Sequence, residues 1–191
     1  LIITNLIGLV LAIACYFFVL NKETYEIANF IISRFYLIYL TTWIMILTMY
    51  VIMISVKQES LEKTWDKLLK YMIIIWFIAS FITFILPLNY VNTNNLVYSY
   101  GTSANFTFLI GFLFEIVCFI FMLKNIKSIK NKKYLPIILY MIGGTIVMAI
   151  QKLNPGLLLM TSAETFVTFL MYFTIENPDM KLINELELAK N

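Results

Sequence analysis

The chain has 191 residues, of which 61% are hydrophobic and 13% charged, and its mean hydropathy is +0.86. A water-soluble domain carries about 25% charged residues, so the composition excludes an ordinary soluble globular fold and places the chain in the helical membrane class. The net charge of +3 is too small to point to nucleic acid, and the absence of histidine excludes histidine metal sites and histidine acid–base chemistry.

In chain order the apolar runs are 1–20, 30–56, 71–88, 106–123, 134–150 and 157–175. Each is roughly long enough to cross about 30 Å of hydrocarbon at 1.5 Å per residue. Backbone groups must pair internally there, and the alternation of a barrel strand is absent, so the runs predict six helices. The first run has no basic segment before it and no small-residue cleavage site, and so reads as a span rather than a signal peptide. Leu1 already lies inside an apolar run, which suggests a longer protein. Cys15 and Cys118 both fall within spans and read as packing residues rather than a disulfide or metal pair.

The loops set the expected orientation. Residues 57–70 carry four lysines, and residues 124–133 carry five and no acid. The tail adds Lys181 and Lys190, whereas the opposite connections hold only Lys22 and Lys152. Basic residues concentrate on the cytoplasmic side. The expectation is therefore an all-α polytopic bundle of six transmembrane helices in a cell membrane, with both termini inside.

The uncharged connection 89–105, NYVNTNNLVYSYGTSAN, then lies outside. It reads as a solvated connector or as a lid over a pocket, its tyrosines supplying apolar faces with polar tips. Trp65 and Tyr71 on one side, and Tyr90, Tyr98 and Tyr100 on the other, fit aromatic belts. Gly143, Gly144, Thr145 and Ala149 predict a small-residue face for close helix contact.

Three ionisable residues sit within spans: Arg34, Glu115 and Glu164. A charge at the bilayer centre costs about 3 kcal/mol, so such groups face the bundle interior and find partners. Counted from the outer surface, all three fall in the outer half of the membrane. The expectation is that Arg34 pairs with Glu164, Glu115 or both, beneath the loop 89–105. An ion pair that fixes helix register is the plainest reading. A polar pocket for a small external ligand is the functional one, and a proton or ion path is the third. Burial favours the neutral form of a carboxyl group unless a cation compensates, which also leaves room for a pH sensor. Tyr36, Tyr39, Thr107 and Thr161 are further polar candidates at that level.

After the sixth span the sequence reads ENPDMKLINELELAKN. Asn177 suits a helix N-cap, Pro178 the first helical position, and Asp179 the first turn. A linker helix is thus expected over 176–191, jointed to the 1–175 bundle. Leu182, Leu186 and Ala189 form a short heptad-like seam. A single amphipathic helix lying on the membrane is the alternative.

The string TIENPDMKLINELELAK, directly after a sixth span, resembles the membrane exit of certain Firmicutes sensor histidine kinases. The resemblance implies a membrane input region, a homodimer, and a following output domain that uses ATP and Mg and phosphorylates a response regulator. Asn177, Pro178, Leu182 and Leu186 would then transmit the signal. The phosphoacceptor and ATP-lid motifs of that family are absent from this stretch, so the resemblance carries over no catalytic residue. The same kind of linker also serves diguanylate cyclases. A small transporter or scaffold is the other class considered, although no pair of broken helices and no charged chain through the membrane supports transport. Intramembrane Ser–His chemistry is excluded.

Overall fold

The computed structural model describes residues 1–55, 58–93, 96–124, 135–154, 156 and 159–173. In α1 (Ile2–Leu20) the buried residues are Asn5, Gly8, Ala12, Cys15 and Val19, spaced three and four apart. That spacing is one helix face, and it lies against α2 (Glu26–Ser55). Asn21 ends α1: its backbone N–H and its side-chain amide both donate to the Phe17 carbonyl, at 3.1 and 2.9 Å. Glu26 then places an acid in the first turn of α2, where the helix dipole favours it.

The remaining elements are α3 (Gln58–Ile85), β1 (Asn89–Thr93), β2 (Leu96–Tyr100), α4 (Thr102–Lys124), α5 (Leu135–Leu153) and α6 (Leu159–Met171). The second helix is the axis of the bundle. Its apolar window is 67% buried, against 28% in α1, 17% in α3 and 28% in α4, and all three pack on it. Trp43, Leu47 and Val51 are fully enclosed along it. The α5 and α6 helices pack as a pair, with α6 returning to α1 and α5 touching α4.

Among the described residues the fold is therefore mostly helical, with six helices. Among the described residues, α1, α2, α3 and α4 are long and apolar enough to cross a membrane, while the apolar stretches of α5 and α6 are shorter, Met141–Leu153 and Leu159–Met171. Two expectations need correction. The connection 57–70 is not a loop over its described length, because α3 begins at Gln58. Its Glu, Lys, Gln and Leu residues are strong helix formers, and the start of an apolar run marks where hydrocarbon begins, not where a helix begins. The connection 89–105, expected within an all-α fold, holds two strands among its described residues. Its two strands pair antiparallel, from Asn89 opposite Tyr100 to Thr93 opposite Leu96, so the fold is not purely α. The linker 176–191, with Asn177, Pro178, Leu182 and Leu186, lies outside the described residues.

Gly101 carries the chain from β2 into α4 at a φ of +127°, where a Cβ would meet the Pro87 carbonyl at 3.0 Å. A residue with a side chain is strained in that region. Thr102 and the Ser103 amide also bond the Pro87 carbonyl, and the Ser103 hydroxyl donates to Thr83 O at 2.7 Å. Both ends of the hairpin are thus tied to the end of α3. The hairpin also meets its neighbours: the Asn92 amide donates to the Leu20 carbonyl at 2.6 Å, and Gly156 lies against Leu96 and Tyr98. The α1–α2 turn, the hairpin and Gly156, between α5 and α6, therefore gather at one end of the bundle. The predicted small-residue face is only partly used: Gly144 is buried, Ala149 is exposed, and Gly143 has open space beside it.

Candidate functional site

Beneath β2 lies a cavity of about 90 Å³. Residues Val97 to Gly101 roof it, α1 and α4 form apolar walls with Cys15 and Phe108, and α2 contributes Tyr36, Leu37 and Leu40. The end of α5 supplies Gln151 and Lys152 at its side. The site exists because three features coincide: small residues on the inner face of α1, the glycine turn that folds β2 back over the bundle, and a polar end on α5.

Two of the lining side chains reach beyond the cavity to the start of α6. The Tyr36 hydroxyl is hydrogen-bonded to the Thr161 hydroxyl at 2.9 Å, and the Met160 amide donates to Gln151 Oε1 at 2.7 Å. Met160 is the second residue of α6, so its N–H has no partner within the helix. Gln151 supplies that partner and so caps α6 from α5. A change in the cavity that moves either Tyr36 or Gln151 acts directly on the first turn of the sixth helix.

Glu164 lies one turn further along α6, 1% exposed. Its Oε2 accepts a hydrogen bond from the Tyr39 hydroxyl at 2.7 Å. The Tyr39 ring occupies the space where a Cβ on Gly8 would stand. Beside this, the Asn5 amide donates to the Thr165 hydroxyl at 3.1 Å. Helices α1, α2 and α6 thus share a buried polar contact built from Asn5, Gly8, Tyr39, Glu164 and Thr165. A second cavity of about 20 Å³ is lined by Glu164 and shares Leu40, Thr107 and Phe108 with the larger one.

The expected ion-pair cluster does not form among the described residues. Arg34 is buried, but its Nε donates to Phe84 O at 2.8 Å, one terminal nitrogen to Leu86 O and the other to Phe30 O, both at 3.3 Å. Its guanidinium also stacks 3.6 Å over the Phe30 ring. The carbonyls at the end of α3 have no intrahelical donors, and a cation is favoured at a helix C-terminus. Arg34 therefore pins the point where α3 gives way to the hairpin. Tyr90 sits close by, and burial pushes its phenol upward while Ser33 and Arg34 oppose the shift. Glu115, also buried, accepts from the Thr145 hydroxyl at 2.9 Å, linking α4 to α5, and its Oε2 has no hydrogen-bond partner among the described residues.

Of the sequence candidates, then, the structure gathers Glu164 with Tyr36, Tyr39 and Thr161, places Thr107 between the two cavities, and leaves Arg34 and Glu115 with separate partners. Gln151, Lys152, Asn5 and Gly8 were not anticipated. The signal for Gln151 and Lys152 was polar residues at the end of an apolar helix. The signal for Asn5 and Gly8 was a polar and a small residue at positions three apart in a run otherwise rich in Leu and Ile. No group of His, Cys, Asp and Glu able to hold a metal ion occurs among the described residues.

Comparison of the chain with protein-family models, with curated proteins and with solved structures returns no match.

Proposed function

We propose that this chain is the membrane-embedded input region of a sensor protein, crossing the bilayer six times with both termini inside and regulating a cytoplasmic histidine kinase. The observation that carries the reading is the pair of hydrogen bonds joining the cavity to α6, Tyr36 to Thr161 and Gln151 to Met160. In this reading the hairpin end faces outward and the cavity receives a small external molecule. Occupancy changes the seating of Tyr36 and Gln151, and α6 carries the change inward to the jointed linker at Asn177 and Pro178. A ligand can do this only by binding two packing states with different affinity. The kinase output rests on the resemblance of the tail, and lysine distribution supports the orientation.

Orientation has a direct test. Single cysteines at Lys22, Thr93 and Asn154, in a cysteine-free background, are expected to react with a membrane-impermeant maleimide on intact cells. A cysteine at Lys124 is expected to react only after the cells are opened. Labelling of position 124 from outside, or protection of position 93, would contradict the proposed topology and with it an outward-facing cavity.

A further inference from the structure

The cavity under β2 has a chemistry that narrows what it can hold. Lys152 is the single charged side chain among the described residues that line it, and no carboxylate lines it. Gln151 adds to the same bias. Its Oε1 already accepts from the Met160 amide, which leaves one lone pair there against two N–H donors on Nε2. At the α5 side, therefore, the cavity presents a cation and more donors than acceptors from these two residues. The other walls are mostly hydrocarbon and aromatic, with Ala12, Val19, Leu37 and Phe108 among them, and their polar groups, such as Ser99, Asn105 and Thr107, are uncharged. The occupant such a surface selects has an acceptor-rich anionic head and a short apolar body.

Size sets the length of that body. A water-sized group requires roughly 10–15 Å³ of such volume, so about 90 Å³ corresponds to about six to nine non-hydrogen atoms. We propose that the cavity binds a short-chain monocarboxylate of about four to seven carbons, the carboxylate at Lys152 and Gln151 and the hydrocarbon against Leu37 and Phe108. This rests on the reading of the cavity as the input site and adds the class of ligand. A carboxylate accepting from Gln151 Nε2 would also bear on the bond that caps α6, because both use the same amide group. The ligand would thereby sit against the element proposed to move.

Three probes of equal length separate head-group chemistry from hydrophobic partition: hexanoate, hexan-1-ol and hexylammonium. Calorimetric titration of the full-length protein in nanodiscs, with empty nanodiscs subtracted, is expected to give saturable binding of hexanoate at one site per chain. Hexanol is expected to bind at least tenfold more weakly, and hexylammonium not at all. Lys152→Gln, at an exposed position, should weaken hexanoate about tenfold and leave hexanol unchanged. Ala104→Leu, which fills the cavity from α4, should abolish binding of both. Equal affinity for hexanol and hexanoate, or full hexanoate affinity in Lys152→Gln, would overturn the carboxylate assignment while leaving the cavity as an input site for another ligand. Hexanoate binding that survives Ala104→Leu would place the site elsewhere. No saturable binding of any probe would overturn the ligand class, while the input reading stands or falls separately on whether α6 moves when Ala104→Leu fills the cavity.

Discussion

Replacing Glu164 with Ala is expected to destabilise the bundle by about 3 kcal/mol, the sum of a lost hydrogen bond to Tyr39 and the space left by a side chain that is 1% exposed. The two contributions can be separated. Glu164→Gln keeps the volume and an acceptor for the Tyr39 hydroxyl, so it should cost less than about 1 kcal/mol. Glu164→Leu keeps most of the volume and removes the acceptor, so it should cost about 1 kcal/mol, in the range found for interhelical hydrogen bonds within membranes. Unfolding measured in nanodiscs checks the series. A Gln variant as unstable as the Ala variant would mean that the negative charge itself is required, against the assignment of Glu164 as a hydrogen-bond acceptor for α2.

Gly8→Ala should be destabilising by about 3 kcal/mol although helix propensity alone favours Ala over Gly by about 1 kcal/mol. The sign is decided by Tyr39. Its ring fills the space where the new methyl group must go, and its hydroxyl is held by Glu164, so it cannot swing away without breaking that bond. The alternative is for α1 to back off from α2, which separates the buried stripe Ala12, Cys15 and Val19 from its neighbours and strains the Asn5–Thr165 bond. A double-mutant cycle measures the coupling. In a Tyr39→Ala background the same Gly8→Ala change should be neutral or stabilising, because only helix propensity remains. An equal cost in both backgrounds would show that Gly8 is needed for some other reason.

These two variants involve residues that differ in how far the sequence disclosed them. Glu164 stood out as a carboxyl group in an apolar run, and Tyr39 as a polar residue at a similar depth. That Glu164 would find a buried partner followed from the rule for such groups, but the sequence pointed to Arg34 as that partner, and the structure supplies Tyr39 instead. Gly8 carried a weaker signal, a small residue three positions after Asn5, since one glycine in a run of twenty residues has meaning only when the bulky group facing it is known. Arg34 failed for a different reason. Its partners are backbone carbonyls at the end of α3, and every helix end has such carbonyls whatever its sequence. Pairing it with a glutamate was the natural reading of side chains alone. The hairpin was legible in part: Tyr90 and Val91 and then Val97 and Tyr98 flank Asn94 and Asn95, a β-prone run on each side of two turn-favouring residues. The absence of charge drew attention to the loop as a lid, and β2 does roof the cavity. The positions of the six apolar helices were clear because hydropathy is a local property. The centrality of α2 was not, because it depends on which helices surround it.

The hairpin also gives a reason for Arg34 that does not involve binding. By holding Phe84 O and Leu86 O, it fixes where β1 leaves the bundle, and so fixes the height of the roof that β2 forms. Arg34 and Gly101 then act on the cavity from its two ends, one by ending α3 and the other by turning the chain into α4.

The coupling of the cavity to α6 is tested most directly by measuring whether α6 moves when the cavity is filled. Spin labels at Phe77 on α3 and Phe166 on α6, both exposed, report the separation of the two helices in nanodiscs. Filling the cavity with Ala104→Leu should shift that distance by about 2 Å, the scale of helix displacements in switching proteins. Adding Tyr36→Phe and Gln151→Leu, which removes the bonds to Thr161 and Met160, should abolish the shift. The same distance with and without Ala104→Leu, or a shift that persists after both bonds are removed, would contradict the proposal that this cavity drives the sixth helix.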